Sequence, residues 1–372
     1  RSASTGAEYA AIYWVRKGGD SVKVDGGSAL KPEFFRGRRR VVRGLGLAGG
    51  SLVGASIGAG RLGAAWRVMA AEPSGKAKGA GWRAGKAVFR VGEFRKIYDP
   101  SIYDRSRGKK ESWYINDHTF IRAEDGQWHL FGITHKEPAN PMHEKFLAHA
   151  TAPELWGPWT KQAPVMQADK KEHENVTWAP YVLRHDGIYW MYYCAGGKGT
   201  EYRIHLATSE DLWKWRRHPA NPMVIDGYKS RDPMVMGYEE GWLLYYVATS
   251  TPAGGNHTVK VVSGTDLSHW SNPREVYRDA EVGTDGGPTE SPFVVAQQGK
   301  YYLFVCTNHG YNETAVYESE SPLHWEAENM VGKFPAHAAE VIAAPGGKWF
   351  VSRAGWGEGG VYLAEFEWEG SR

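Results

Sequence analysis

The chain has 372 residues, 42% of them apolar, which is enough to bury one large hydrophobic core or two moderate ones. Residues 1–96 carry 19 Lys and Arg against 6 Asp and Glu, whereas residues 97–372 carry 26 against 36. Because the larger part is acidic, its charge gives no support for nucleic-acid binding. The two cysteines, Cys194 and Cys306, lie far apart in the sequence, so we expect neither a disulfide nor a zinc site.

Residues 1–72 are predicted to be a leader that is disordered or cleaved. The basic segment Gly37-Arg-Arg-Arg-Val-Val-Arg43 is followed by a weakly apolar, glycine-interrupted stretch and by Ala70-Ala71, which are the parts of a twin-arginine export signal. The apolar stretch is too short for a membrane helix, so we expect no integral membrane domain. Export predicts a periplasmic or extracellular protein, and a cytoplasmic one is expected if the segment is only a basic tail. Residues 73–96 are predicted to be a linker.

From Trp113 onward the sequence repeats one hairpin pattern five times. An apolar strand leads into a glycine turn and returns through an aromatic-rich strand; the turn glycines are Gly126, Gly187, Gly241, Gly299 and Gly347. After most hairpins a third strand is followed by a turn ending in tryptophan, at Trp159, Trp215, Trp270 and Trp325. Four-stranded units of this length with a recurrent aromatic residue are typical of propeller blades.

The sequence therefore predicts an all-β fold, a five-bladed β-propeller with four antiparallel strands per blade over residues 97–372. Residues 97–103 are expected to supply the strand that closes the ring. The alternative, a β-sandwich or two unrelated all-β domains, would not need the same turn and tryptophan in every unit.

Three acids occupy matching places in these repeats. Nine residues before the five turn glycines lie Asp117, Trp178, Asp232, Glu290 and Ala338. The innermost strands of a propeller all begin at one end of the central channel, so these side chains are expected to converge there. Three acids placed together repel one another, which raises the pKa of at least one of them. We therefore predict Asp117, Asp232 and Glu290 as catalytic residues.

Neighbouring residues are expected to bind a hydroxylated ligand. Trp178 occupies the matching place in the second blade, where an indole face can stack on a sugar ring, and ordinary core packing is the alternative. The full set of predicted substrate-binding residues is Asn116, His118, Trp178, Arg231, His309, His337 and Arg353. Cleaving a glycosidic bond needs one carboxylic acid and one carboxylate, which this set supplies without a cofactor.

Several motifs resemble those of the five-bladed propeller glycoside hydrolases, the superfamily of families 43, 62, 32, 68 and 117. Ser230-Arg-Asp-Pro233 matches the Arg-Asp-Pro motif of families 32 and 68, and Ile115-Asn-Asp-His118 partly matches their Trp-Met-Asn-Asp-Pro motif. Thr177-Trp-Ala-Pro180 and Glu290-Ser-Pro292 look more like family 43. Pro does not follow Asp117 and Cys does not follow Glu290, which separates the chain from typical fructosidases.

The resemblance implies a role for each acid. Asp117 matches the first-blade base or nucleophile, Asp232 the acid that orients the substrate, and Glu290 the general acid. His337 is similar to a fifth-blade histidine that lies near an axial calcium or other cation in many family 43 enzymes, so the resemblance also implies a structural cation bound near His337.

The implied substrate is an oligo- or polysaccharide of plant or algal type that contains arabinofuranoside, xyloside, fructofuranoside or anhydrogalactoside units. Inversion and retention of the anomeric configuration both stay open, and the sequence carries no signal for an oligomeric state. The alternatives are a non-catalytic carbohydrate-binding propeller and a glycoside phosphorylase, which would need a basic cluster for phosphate. A six-bladed sialidase is disfavoured because five repeats are found.

Overall fold

The computed structural model describes residues 88–197, 201–249, 255–282, 287–307 and 310–369. The predicted leader and most of the predicted linker lie outside these ranges. The described chain is all-β, with 3₁₀ turns at Pro141–His143, Lys170–Glu172 and Ala327–Asn329. A search of these same ranges finds no helix of the length and apolarity needed to cross a membrane.

The described strands build five antiparallel sheets, one for each predicted blade, and a separate small hairpin. The chain enters through β1 (Phe89–Val91) and β2 (Arg95–Tyr98), and the small hairpin consists of β3 (Ile102–Asp104) and β4 (Lys109–Glu111). Blade 1 contains β5 (Trp113–Arg122), β6 (Trp128–Lys136), β7 (Phe146–Ala152), β8 (Thr160–Lys161) and β9 (Met166–Gln167). Blade 2 contains β10 (Val176–His185), β11 (Ile188–Gly196), β12 (Arg203–Ser209) and β13 (Arg216–Arg217).

The remaining three blades follow in chain order. Blade 3 contains β14 (Ser230–Tyr238), β15 (Gly241–Ala248), β16 (Thr258–Gly264) and β17 (Arg274–Arg278). Blade 4 contains β18 (Glu290–Gln297), β19 (Lys300–Cys306), β20 (Thr314–Ser319) and β21 (Met330–Phe334). Blade 5 contains β22 (Val341–Ala344), β23 (Lys348–Arg353) and β24 (Val361–Trp368), and the five-bladed propeller is thereby confirmed.

Strands from the N-terminal side complete blade 5. Both β1 and β2 pair antiparallel with β24, and the ring of Phe89 stacks on that of Phe366 with 5.3 Å between ring centroids. The predicted linker of residues 73–96 therefore ends too late, because β1 and part of β2 already belong to the propeller. Ile102 and Tyr103 also differ from the prediction, since they pair with β4 and not with blade 5.

Tyrosines of the second strands hold neighbouring blades together. Tyr192 and Tyr245 are fully buried, and each belongs to a Tyr-Tyr pair seen in the repeated hairpins. The hydroxyl of Tyr192 donates to the carbonyl of Leu267 in blade 3 at 2.6 Å, and that of Tyr245 donates to the carbonyl of Pro322 in blade 4 at 2.8 Å. Each ring thus fills the wedge between two blades while its polar end is satisfied in the next blade.

A β-bulge interrupts the innermost strand of blades 1 to 4 at the same place. The last residue paired before the bulge is Ile115, Trp178, Arg231 or Glu290, and the pairing resumes three residues later against only two residues of the partner strand. The first bulged residue has a positive φ in blades 2, 3 and 4, at Ala179, Asp232 and Ser291, and Ala338 has the same conformation before β22 in blade 5. A bulge bends the strand and re-aims its side chains.

This bulge changes the predicted equivalence of the three acids. Blade 1 has a five-residue hairpin loop, blades 2 to 4 have two-residue loops, and Gly241 is the first residue of β15. Counting back from the turn glycines therefore does not reach equivalent positions. Glu290 precedes the bulge of its blade, whereas Asp232 and Asp117 lie within the bulges of theirs. The prediction that the acids share one register position is wrong.

Gly132 offers a test of how tightly the blade 1 bulge is packed. A Cβ at this position would lie 2.8 Å from Ile115 Cγ2 and 3.0 Å from His118 Cβ, so Gly132→Ala should lower the free energy of unfolding by about 1–3 kcal/mol through overpacking. Gly237→Ala is the matched control in β14, because its nearest neighbour would be 3.8 Å away. Urea unfolding of both variants measures the difference, and equal stability would contradict a rigid bulge.

Candidate active site

The bulges bring five ionisable side chains together at the propeller axis. They are Asp117 from blade 1, Arg231 and Asp232 from blade 3, Glu290 from blade 4 and His337 from blade 5. The four titratable side chains other than Arg231 belong to residues that are 6–8% exposed, and the Arg231 side chain is 12% exposed. We call these five residues the axial cluster.

Glu290 lies between two basic side chains. Arg231 Nη1 is 3.2 Å from Glu290 Oε1, and His337 Nδ1 is 3.7 Å from Glu290 Oε2. Arg231 and Glu290 occupy the same pre-bulge position in adjacent blades, and His337 immediately precedes the positive-φ residue of blade 5. The equivalent positions of blades 3, 4 and 5 thus place a basic, an acidic and a basic side chain in one row.

The imidazole of His337 links this row to Asp117. Its Nε2 is 3.8 Å from Asp117 Oδ2, while its Nδ1 faces Glu290. The ring therefore lies between the carboxyl groups of Asp117 and Glu290. Gly355 packs against the same ring, where a Cβ would stand 3.4 Å from His337 Cδ2.

Ser291 donates hydrogen bonds to both aspartates of the axial cluster, Asp117 and Asp232. Its backbone N–H donates to Asp232 Oδ2 at 3.1 Å, and its hydroxyl donates to Asp117 Oδ1. The positive φ of Ser291, at 49°, belongs to the bulge of blade 4 and directs both donors toward the axis. Ser291 appeared in the sequence only as a neighbour of Glu290, and no local signal marked it as the link between two acids.

Asp117 and His337 form a buried ion pair. Burial alone would raise the pKa of Asp117, but the interactions with His337, Ser291 and Arg231 outweigh it and hold that pKa below its ordinary value. The pKa of His337 is raised well above its ordinary value although burial opposes this, because Asp117 and the Cys306 thiol lie against the ring. At neutral pH Asp117 is therefore a carboxylate and His337 is a cation.

The other two acids have raised pKa values. Burial raises the pKa of Glu290 to about 8, against the opposing charges of Arg231 and His337. Burial likewise raises the pKa of Asp232 to about 6, and Arg231 opposes the rise. At neutral pH Glu290 therefore keeps its proton, whereas Asp117 and Asp232 are ionised. The carboxylate of Asp117 and the carboxylic acid of Glu290 lie on opposite sides of the His337 imidazolium.

Asn256 fixes Arg231, the cation at one end of the row, and was missed in the sequence. With its amide oriented so that both groups are satisfied, its oxygen accepts from Arg231 Nε at 2.9 Å and from Nη2 at 3.0 Å. Asn256 is fully buried in the loop before β16, 25 residues after Arg231. No motif connects the two positions, because only the return of the chain through β15 brings them together.

Two predicted substrate-binding residues, His118 and Arg353, have contacts within the protein, and substrate binding by them stays a prediction. His118 Nδ1 lies 3.1 Å from the Asn116 carbonyl, and Nε2 lies 2.8 Å from Ser352 Oγ. Burial lowers the pKa of His118 to about 4, so the ring is a neutral link between blades 1 and 5. Arg353 lies 5.0 Å from the ring centroids of Phe94 and of Tyr362, which keeps its guanidinium among the strands of blade 5 and away from the cluster.

Three further residues were predicted to bind substrate: Trp178, Asn116 and His309. Trp178 occupies the pre-bulge position of blade 2, is 7% exposed and stacks on Tyr202 with 4.8 Å between ring centroids. Asn116 is buried, and its Oδ1 has no hydrogen-bond partner within the described chain. Substrate binding by Trp178 and Asn116 stays a prediction. His309 lies outside the described residues.

At the cluster the axis contains a small pocket that is open to solvent, lined by residues that include Asp117, His118, Asp232, Ser291 and Glu340. Across the described ranges, no group of three or more His, Cys, Asp or Glu side chains is arranged to hold a metal ion. His337 was predicted as a metal ligand, and this too stays a prediction. The axial cation itself stays a prediction.

Comparison with known proteins gives a family match that spans blades 1 to 3 and the start of blade 4. Residues 109–292 match the sequence model of the glycosyl hydrolases family 32 N-terminal domain. An uncharacterized protein of Mycobacterium tuberculosis strain H37Rv is 41% identical over 59 residues, which is 16% of this chain and 19% of that protein. A second uncharacterized protein, from strain CDC 1551, is 39% identical over 59 residues. Each of these two alignments covers about a fifth of the length of the curated relative.

Solved structures share the fold at low sequence identity. A thermostable family-43 glycoside hydrolase is 17% identical with a TM-score of 0.53, covering 69% of this chain and 89% of its own. The RS223 β-xylosidase is 16% identical with a TM-score of 0.54, covering 74% and 94%. An endo-arabinase from Bacteroides thetaiotaomicron is 12% identical with a TM-score of 0.56, covering 70% and 95%.

The family 32 domain match includes Asp117, Asp232 and Glu290, and the five blades are those of the family 43 structures. The chain therefore contains a segment similar to the family 32 N-terminal domain, and its fold is the five-bladed β-propeller shared with the family 43 structures.

Proposed function

We propose that the protein hydrolyses glycosidic bonds, with Glu290 as the general acid and Asp117 as the base or nucleophile. One observation carries the proposal: two buried carboxyl groups flank His337 and have opposite protonation states at neutral pH. Glu290 has a proton to give to the leaving oxygen, and Asp117 has the negative charge that activates water or attacks the sugar.

Asp232 is proposed to hold the sugar hydroxyls. Its Oδ2 accepts from the Ser291 backbone, so Ser291 fixes the position of Asp232 relative to Asp117. Arg231 is held by Glu290 and Asn256 and places a fixed positive charge beside the acid. Such an arrangement reduces the reorganisation that charge development in the transition state would otherwise require.

We propose that the substrate is a plant- or algal-type oligo- or polysaccharide with arabinofuranoside, xyloside, fructofuranoside or anhydrogalactoside units. The similar structures include a β-xylosidase and an endo-arabinase, and one β-xylosidase/α-arabinofuranosidase was solved in complex with xylotriose. These relatives favour the pentose glycans for a first screen. The proposed chemistry requires no cofactor, because the acids supply both proton-transfer groups.

Glu290→Gln should separate acid catalysis from binding. The amide cannot donate a carboxylic proton, so turnover of an unactivated oligosaccharide should fall at least about a hundredfold. Hydrolysis of a 2,4-dinitrophenyl glycoside should fall far less, because that leaving group departs without a proton. Steady-state kinetics on both substrates measures the difference.

Glu275→Gln is the control for the substitution itself, because Glu275 is exposed on β17, the fourth strand of blade 3. Near-normal oligosaccharide turnover by Glu290→Gln would exclude Glu290 as the acid. A wild-type protein that binds glycans and hydrolyses none in a broad panel would be a carbohydrate-binding propeller, and turnover that requires phosphate would indicate a phosphorylase.

The pH dependence of kcat/KM should have an alkaline limb near pH 8. Glu290 acts in its protonated form, so activity falls as the pH rises through its raised pKa. Glu290→Gln should lose this limb when it is assayed with the dinitrophenyl glycoside. An alkaline limb that persists in the variant would assign the limb to another group.

We also propose that residues 1–72, outside the described part of the chain, direct export by the twin-arginine route. Arg38→Lys together with Arg39→Lys should retain the protein in the cytoplasm, because that route reads the arginine pair. Cell fractionation and immunoblotting compare the pair with Arg43→Lys as a control. Normal export of the double variant would contradict the proposal.

A further inference from the structure

Two loops from blades 5 and 1 meet beside the axial cluster. Residues 354–360 connect β23 to β24, and residues 137–145 connect β6 to β7. Loops between second and third strands lie at the propeller end where the innermost strands begin, which is also the end that carries the cluster. Gly355 packs against the His337 ring, so the next residue, Trp356, stands at the edge of the site.

Trp356 has a large open surface and a fixed orientation. The residue is 47% exposed, while its indole N–H donates to the buried Glu144 Oε1 at 2.8 Å. The Tyr114 hydroxyl donates to the same oxygen at 2.9 Å. The Gly357 backbone N–H also donates to Glu137 Oε1 at 3.0 Å, so the loop of blade 5 is tied to blade 1 on both sides of the ring.

This arrangement leaves the ring faces as the part of Trp356 that can bind. Its N–H is already used, so the open surface offers apolar area and π electron density but no polar donor. An exposed aromatic ring that is immobilised in advance loses little conformational entropy when a ligand stacks on it. The C–H face of a pyranose or furanose ring is apolar and flat enough to match such a surface.

We propose that Trp356 is a sugar-stacking platform outside the cleavage point, and that the substrate is a chain of several sugar units. The proposal rests on the proposed glycosidase function, because it names what lies beyond the sugar held by Asp117, Asp232 and Glu290. Glu144 is the positioning residue that sets the angle of the platform.

A second tryptophan provides a matched control. Trp213 is 46% exposed, nearly the same as Trp356, but it belongs to the loop between β12 and β13. That loop joins a third strand to a fourth and therefore lies at the opposite end of the propeller. A general loss of surface aromatic area would affect both variants equally.

The experiment compares substrates that differ only in what lies beyond the cleaved bond. The probes are glycosyl fluorides of xylose, arabinofuranose and fructose, whose leaving group is one atom, and the trisaccharides xylotriose, arabinotriose and kestotriose. For the sugar that the wild type hydrolyses, Trp356→Ala should lower kcat/KM on the trisaccharide at least about tenfold and on the fluoride less than about twofold.

Two further variants complete the comparison. Trp356→Phe keeps an aromatic face and should fall between Trp356→Ala and the wild type, whereas Trp213→Ala should match the wild type on both substrates. An equal loss on fluoride and trisaccharide would overturn the proposal, since it would mean that Trp356 acts through His337. Unchanged kinetics on the trisaccharide would also overturn it.

Binding to Glu290→Gln separates this inference from the proposed function. Calorimetric titration with the three trisaccharides should show about tenfold weaker binding when Trp356→Ala is added, whether or not the wild type has hydrolytic activity. Unchanged affinity would overturn the platform and leave Glu290 as the acid. If no trisaccharide is bound or hydrolysed, the platform is wrong, and so are the xyloside, arabinofuranoside and fructofuranoside substrates of the proposed function.

Discussion

The burial of five ionisable groups at one point of the axis is the constraint on which the rest of the site depends. A buried charge without a partner costs several kcal/mol, so each group must be matched by an opposite charge or by a proton. Asp117 is matched by His337, and Arg231 lies beside Glu290 with Asn256 as a further acceptor. Glu290 remains protonated because too few positive charges are available to ionise every acid in the cluster.

The bulges provide the geometry for this charge balance. A regular strand would send neighbouring side chains to opposite faces, yet Arg231 and Asp232 both reach the cluster, as do Glu290 and the Ser291 donors. The extra residue at the bulge turns the second member of each pair back toward the axis. Gly132 faces the blade 1 bulge and leaves the space that its bent backbone fills.

The sequence predicted the fold well because the signals of a propeller are local. Strand alternation, glycine turns and the tyrosine-rich second strands recur within each blade, so five hairpins predicted five sheets. The convergence of Asp117, Asp232 and Glu290 was also correct, although their assumed equivalence was not. A one-residue bulge leaves no mark in composition, and counting from turns of unequal length hides it.

The rest of the site depends on contacts between distant segments. Asn256 reaches Arg231 only after β15 has crossed the blade. Ser291 belongs to blade 4 and reaches Asp117 in blade 1. Arg353 is the last residue of the second strand of blade 5, a position from which it was predicted to reach the axis. Its guanidinium lies instead against the rings of Phe94 and Tyr362. Phe94 lies between the two closing strands, and its position could not be inferred while residues 73–96 were taken as a linker.

The closing strands give blade 5 a particular part in the chemistry. This blade contains both ends of the described propeller, since β1 and β2 at one end pair with β24 at the other. The same blade places His337, whose imidazole faces both Asp117 and Glu290. β22, which follows His337, belongs to the same sheet as the closing strands, so the pairing that joins the two ends of the propeller and the imidazole between two acids are connected through one sheet.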